Sequence, residues 1–67
     1  IMEIRLNGEP HALSGRVTVA ELLAALGHTG KRVAVERNGE IVPRSRHDGT
    51  YLQPDDRVEI VVAVGGG

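Results

Sequence analysis

Residues 17–27 read VTVAELLAALG, and this stretch decides how the rest of the chain must be arranged. Thr18 followed three residues later by Glu21 is a capping box, in which each side chain satisfies a backbone N–H that the first helical turn leaves open. Val17 and Leu22 stand at the positions of a hydrophobic staple, and Gly27 ends the helix where left-handed backbone is needed. Val19, Leu22, Leu23 and Leu26 fall at i, i+3, i+4 and i+7, a single apolar stripe. One stripe buries one face, so this helix is expected to cover one face of a sheet.

The strands for that sheet lie on both sides. Met2, Ile4 and Leu6 alternate with Glu3 and Arg5, the period of a half-buried strand, and Asn7-Gly8 supplies two positive-φ positions for a tight turn. The return strand, about Glu9 to Leu13, carries Pro10, which donates no ladder hydrogen bond and points to a sheet edge or a non-bonded position. After the helix, Val33 and Val35 lie in a third strand, and Asn38-Gly39 turns the chain into Ile41-Val42 before Pro43 stops it. Residues 44–50 are polar and turn-rich, a loop or short 3₁₀ turn, and Leu52 restores an apolar contact. A last strand follows Gln53-Pro54-Asp55-Asp56. The order is β, β, α, β, β, β, which one helix packed on one mixed sheet satisfies.

Composition narrows what such a domain does. The chain has 67 residues and no cysteine, so disulfides contribute nothing; His11, His28 and His47 are too far apart to suggest a local zinc site. The core must be aliphatic, because Phe and Trp are absent and Tyr51 is the one aromatic residue. Eight Lys and Arg stand against nine Asp and Glu, for a formal charge of −1. There is neither a basic block to follow a phosphate backbone nor an aromatic platform for bases, which argues against nucleic acid. No apolar run has the length of a membrane span and no signal peptide is evident, so a cytoplasmic location is expected. Met2 is expected to be the natural start, and Ile1 is given no role.

The sequence closes on VVAVGGG, residues 61–67. Strict alternation turns Val58, Ile60 and Val62 toward the core and leaves Val61, Ala63 and Val64 as an apolar surplus, either covered by neighbouring chain or free to dock a partner. Gly65, Gly66 and Gly67 have no side chains to pack. Fixing each residue costs roughly 1–2 kcal/mol of backbone entropy, so by itself the tail is expected to lack fixed structure. Terminal glycines are most often incidental. The functional alternative is a terminus thin enough to thread a narrow channel and bring its own carboxylate to another protein's active site. A carboxylate is a poor electrophile, so this reading demands activation, most simply by ATP to an acyl-adenylate.

Four segments, MEIRLNGEP, TVAELLAALG, VAVERNGEIVPRS and VVAVGGG, together resemble the thiamin-biosynthesis sulfur carriers, the ThiS family. The resemblance covers nearly the whole chain, and NGEIVPR between strands with a glycine terminus is its most specific part. It implies an α+β, ubiquitin-like β-grasp fold: a mixed sheet of about five strands on one main helix, the last strand parallel to the first in its centre. Residues 2–64 would form the domain and residues 65–67 the flexible tail. It further implies that the Gly67 carboxylate is adenylated by a ThiF-like enzyme using MgATP, with the carrier holding no cofactor of its own. A cysteine-derived sulfur donor system would then convert the adenylate to a thiocarboxylate, which passes sulfur to a ThiG-like thiazole synthase. The carrier would be a protein cosubstrate rather than an enzyme, with Gly65 and Gly66 as the arm and Val61, Ala63 and Val64 at the docking surface.

One departure stands out: where the family usually has Gly-Asp before the last strand, this chain has Asp55-Asp56, and because Asp tolerates left-handed backbone better than most residues the turn is expected to survive at some strain. Two related readings share the activated terminus, the small subunit of molybdopterin synthase and a ubiquitin-like modifier of lysines. A third, of another class, is a binding module with incidental glycines. Among other polar residues, His47-Asp48 reads as a solvated loop pair and His11 and His28 as surface or turn residues. Arg44 and Arg46 form a small basic spot. Arg5, Arg16, Lys31, Arg32, Arg37 and Arg57 read as scattered solubility charges.

Overall fold

The computed structural model describes residues 1–64; Gly65, Gly66 and Gly67, which carry the expected arm and reactive carboxylate, lie outside the described residues. Strands β1 (Met2–Leu6) and β2 (Glu9–Leu13) form the first hairpin, with Asn7 and Gly8 both at positive φ. Helix α1 (Val19–Ala25) follows, then β3 (Val33–Arg37), β4 (Glu40–Ile41), a 3₁₀ turn over Arg44–Arg46, and β5 (Arg57–Val62). Asn38 and Gly39 make the second hairpin turn with φ of 54° and 85°.

The sheet order is β2-β1-β5-β3-β4. β5 occupies the centre, parallel to β1 and antiparallel to β3, as the family resemblance implies. β2 is an edge strand, which accommodates the missing N–H of Pro10. β4 spans only two residues, yet Val42 extends the pairing by donating its N–H to the Val35 carbonyl at 2.8 Å before Pro43 turns the chain away.

One face of this sheet carries the core. Ile4, Val35, Val58 and Ile60 point from the strands against Val19, Leu22 and Leu23 of α1, with Leu13, Val42 and Leu52 closing the sides. Leu26 and Val62 pack at the periphery, so the helical stripe and the alternation of β5 fade toward their C-terminal ends. The capping box forms as the spacing requires: Thr18 Oγ1 accepts from Glu21 N–H at 3.1 Å, and Glu21 Oε1 accepts from Thr18 N–H at 2.9 Å. Gly27, at φ 80°, follows the helix. α1 is then fixed to the loop beneath it, since Val19 and Ala20 donate their N–H groups to the carbonyls of Thr50 and His47.

Two polar residues depart from the sequence-based expectation. His47 is not a solvated loop residue: it is 7% exposed, and its Nε2 lies 3.0 Å from the Val42 carbonyl, so the ring closes the floor under the 3₁₀ turn. Arg37 is not a scattered solubility charge either. Its Nε donates to Asp56 Oδ2 at 2.6 Å, the one ion pair among the described residues.

Candidate functional site

The start of β5 is held by a polar knot. Asp56, 5% exposed, accepts from Arg37 Nε, from Asn38 Nδ2 at 3.0 Å and from the Gln53 N–H at 2.8 Å. Burial pushes its carboxyl up, but these hydrogen bonds and the nearby guanidinium outweigh that push and hold it below its ordinary value. The two hairpin turns reach the same strand: Asn38 Oδ1 accepts from Arg57 N–H at 2.9 Å, and Asn7 Oδ1 from Ile60 N–H at 2.8 Å. Asp55 adopts φ 67°, the left-handed conformation its position demands, and its N–H donates to the Glu3 carbonyl at 2.7 Å. Asp therefore replaces glycine without losing the turn. Each positive-φ asparagine serves twice, as a turn former and as a side-chain clamp on β5.

At its other end the same strand is bare. Val61 is 66% exposed and Val64 95%, and Ala63 is exposed as well. The apolar surplus of the sequence is therefore not covered within the described residues. Beyond β5 the chain is steered by one further backbone bond, from Ala63 N–H to the Arg32 carbonyl at 2.8 Å. Arg32, Val33, Ala34, Val61 and Ala63 line a hollow of about 270 Å³ beside this segment. Val61, Ala63 and Val64 thus form one exposed apolar strip that leads directly into residues 65–67.

A larger hollow of about 290 Å³ lies between the C-terminal end of α1 and the 3₁₀ turn, where His28, Lys31, Arg44, His47 and Asp48 meet. His28 opens the turn after α1, its carbonyl accepting from Lys31 N–H at 3.0 Å, and its half-buried ring keeps Nδ1 without a hydrogen-bond partner among the described residues. Arg44 and Arg46 are exposed, as the basic spot requires. His47 faces Val42, so no nucleophile–base pair forms with Asp48. Among the described residues no three His, Cys, Asp or Glu side chains converge as a metal site would need. Among the described residues no helix is long and apolar enough to cross a membrane. What the arrangement can do chemically is present a strand end: a rigid base, an exposed apolar strip and the glycine segment after it.

This geometry has close counterparts. The sequence model of the ThiS family matches residues 4–67. The crystal structure of the thiamine biosynthesis protein ThiS from Geobacter metallireducens superposes with a TM-score of 0.82 at 38% identity, covering 98% of this chain and 100% of that one. The sulfur carrier protein ThiS of Bacillus subtilis (strain 168) is 44% identical over 50 residues, 75% of this chain and 76% of that protein. A thiazole synthase from Magnetococcus marinus is 46% identical over 66 residues, 98% of this chain but 20% of that protein. The chain thus spans about a fifth of the length of the thiazole synthases it matches.

Proposed function

This chain belongs to the ThiS family of sulfur carriers, related to thiamine biosynthesis, and on that footing we propose that the carboxyl group of Gly67 is the group that carries sulfur. A ThiF-like enzyme holding MgATP would join that carboxylate to AMP with loss of pyrophosphate. Sulfide delivered by a cysteine-derived donor system would then attack the acyl carbon and expel AMP, leaving a thiocarboxylate that passes its sulfur to a ThiG-like thiazole synthase. The thiazole synthases that contain a region similar to this chain support that last assignment.

The observation that carries the reading is the continuity of β5. Asn38, itself held by Asp56, clamps its first residue and Asn7 clamps it further along at Ile60, while Val61, Ala63 and Val64 stand exposed immediately before the glycines. Gly65 and Gly66 add no Cβ, so an activating enzyme can enclose the backbone closely. The exposed strip offers apolar area for docking, worth roughly 25 cal/mol per Å² removed from water. No residue of this chain is assigned a catalytic role; it is a cosubstrate. Localisation in the cytoplasm, where such enzymes and MgATP meet, belongs to the same proposal.

Intact-mass analysis tests it. The chain is incubated with MgATP, a sulfur donor system and a ThiF-like enzyme, beside a variant truncated after Gly65. The expected result is the mass gain of one sulfur replacing one oxygen, seen only when Gly66 and Gly67 are present. No gain, with an enzyme proven active on another carrier, would overturn the assignment.

A further inference from the structure

The exposed face of the sheet sorts its side chains by row rather than mixing them. Arg5 on β1 is the register partner of Arg57 on β5. One rung along, Glu59 lies directly opposite Glu36 of β3, and one rung further Val61 lies opposite Ala34. All six residues are exposed. Rungs on one face are separated by about 6.6 Å along a strand. Read toward the tail, the face is a basic row, an acidic row and an apolar row.

Such an arrangement works against the isolated domain. Directly opposite residues on antiparallel strands have Cβ atoms about 4.5–5.5 Å apart, and like charges placed there are destabilising. Exchanging one residue of each charged row would have given opposite-sign pairs in both. Arg57 lines the same hollow as Glu36 and Glu59 but pairs with neither, since the one ion pair among the described residues is that of Arg37 with Asp56. No ion pair among the described residues therefore offsets the like charges of this row.

We propose that the acidic row, Glu36 with Glu59, is an electrostatic docking key for the adenylating enzyme, which would present a cationic side chain between the two carboxylates. The inference rests on the carrier reading above and names a determinant of its docking surface. Charge complementarity identifies the occupant's chemistry. The neighbouring rows fix its orientation, because a partner that places a cation over the glutamates and an apolar group over Val61 and Ala34 can bind in one direction along the sheet. That direction points β5, and with it the glycines, toward the partner's active site. An activator that encounters the carrier by diffusion gains from such steering.

The test measures association of the full chain with the ThiF-like enzyme used in the mass experiment, across a salt series, for the unaltered chain and for Glu36→Gln/Glu59→Gln. A Glu9→Gln/Glu40→Gln chain controls for the same change in net charge. The first variant should lose about tenfold in association rate at low salt and show a flatter salt dependence, while melting at or above the temperature of the unaltered chain. The control should retain its rate. Equal rates and salt slopes in the docking-row variant and the unaltered chain would overturn the proposal, as would equal losses in variant and control. A loss confined to binding of thiazole synthase would also overturn it, by assigning the row to sulfur delivery. Failure of the unaltered chain both to bind the enzyme and to gain sulfur would overturn the carrier reading together with the key, whereas sulfur gain with unchanged variant binding removes the key alone.

Discussion

β5 is gripped along its length, at Arg57 by the side chain of Asn38, which Asp56 holds in turn, and at Ile60 by the side chain of Asn7. At its C-terminal end it carries Val61 and then Ala63 and Val64, all exposed. One strand thus has a tied end and a presented end. The difference teaches that rigidity and exposure are divided along a single stretch of chain: polar residues with many partners hold the strand in register, and the apolar residues after them, where docking is proposed, are not covered by any described residue.

The comparison breaks most severely at Asp56. Asp56→Ala strips acceptors from Arg37, Asn38 and the Gln53 N–H together, so the chain is expected to lose about 3 kcal/mol of stability in denaturant titration. Acid should expose the same dependence more gently. Because the folded carboxyl sits below its ordinary value, its contribution is fully present above the unfolded value near pH 4 and is lost as pH falls through the lower folded value. Unfolding measured between pH 5 and about pH 2 should therefore show falling stability in the unaltered chain and a shallower fall in Asp56→Ala.

Thr18→Ala tests a region remote from both ends and should cost about 1 kcal/mol, the usual value of an N-cap. Val61→Ser sharpens the contrast from the opposite side: stability should stay within about 0.5 kcal/mol of the unaltered chain, while binding to the adenylating enzyme weakens. A large loss of stability from Val61→Ser would mean that the presented end is part of the core after all.

The elements that could be read from sequence are those governed by neighbours in the chain. Alternation in Met2–Leu6, the Thr18–Glu21 box and the two Asn-Gly turns need only local geometry, and each appears where the pattern places it. Asp55 belongs with them, because a turn position dictates its φ. The polar knot was not legible in the same way. Arg37 and Asp56 meet across 19 residues, and Asn7 reaches Ile60 across 53, so their pairing depends on sheet order rather than on local pattern. His47 departs from its sequence-based expectation for a similar reason: a histidine in a polar loop becomes buried only once Val42 and α1 close over it. The exposed strip was anticipated by counting apolar residues at the end of the chain, but its lack of cover required the fold. The like-charge rows needed strand register, which composition does not contain.

The central place of β5 also constrains how the molecule is made. The β1–β2 and β3–β4 hairpins close over short distances, but the sheet has no middle until residues 57–62 have been synthesised and inserted between β1 and β3. Loop closure over some fifty residues is slow compared with hairpin formation. Until β5 is in place, the two hairpins therefore have no strand between them through which to form one sheet. Products cut short before Arg57 lack the piece that joins their halves and should fall to proteases, so the population that survives is enriched in chains long enough to contain that strand.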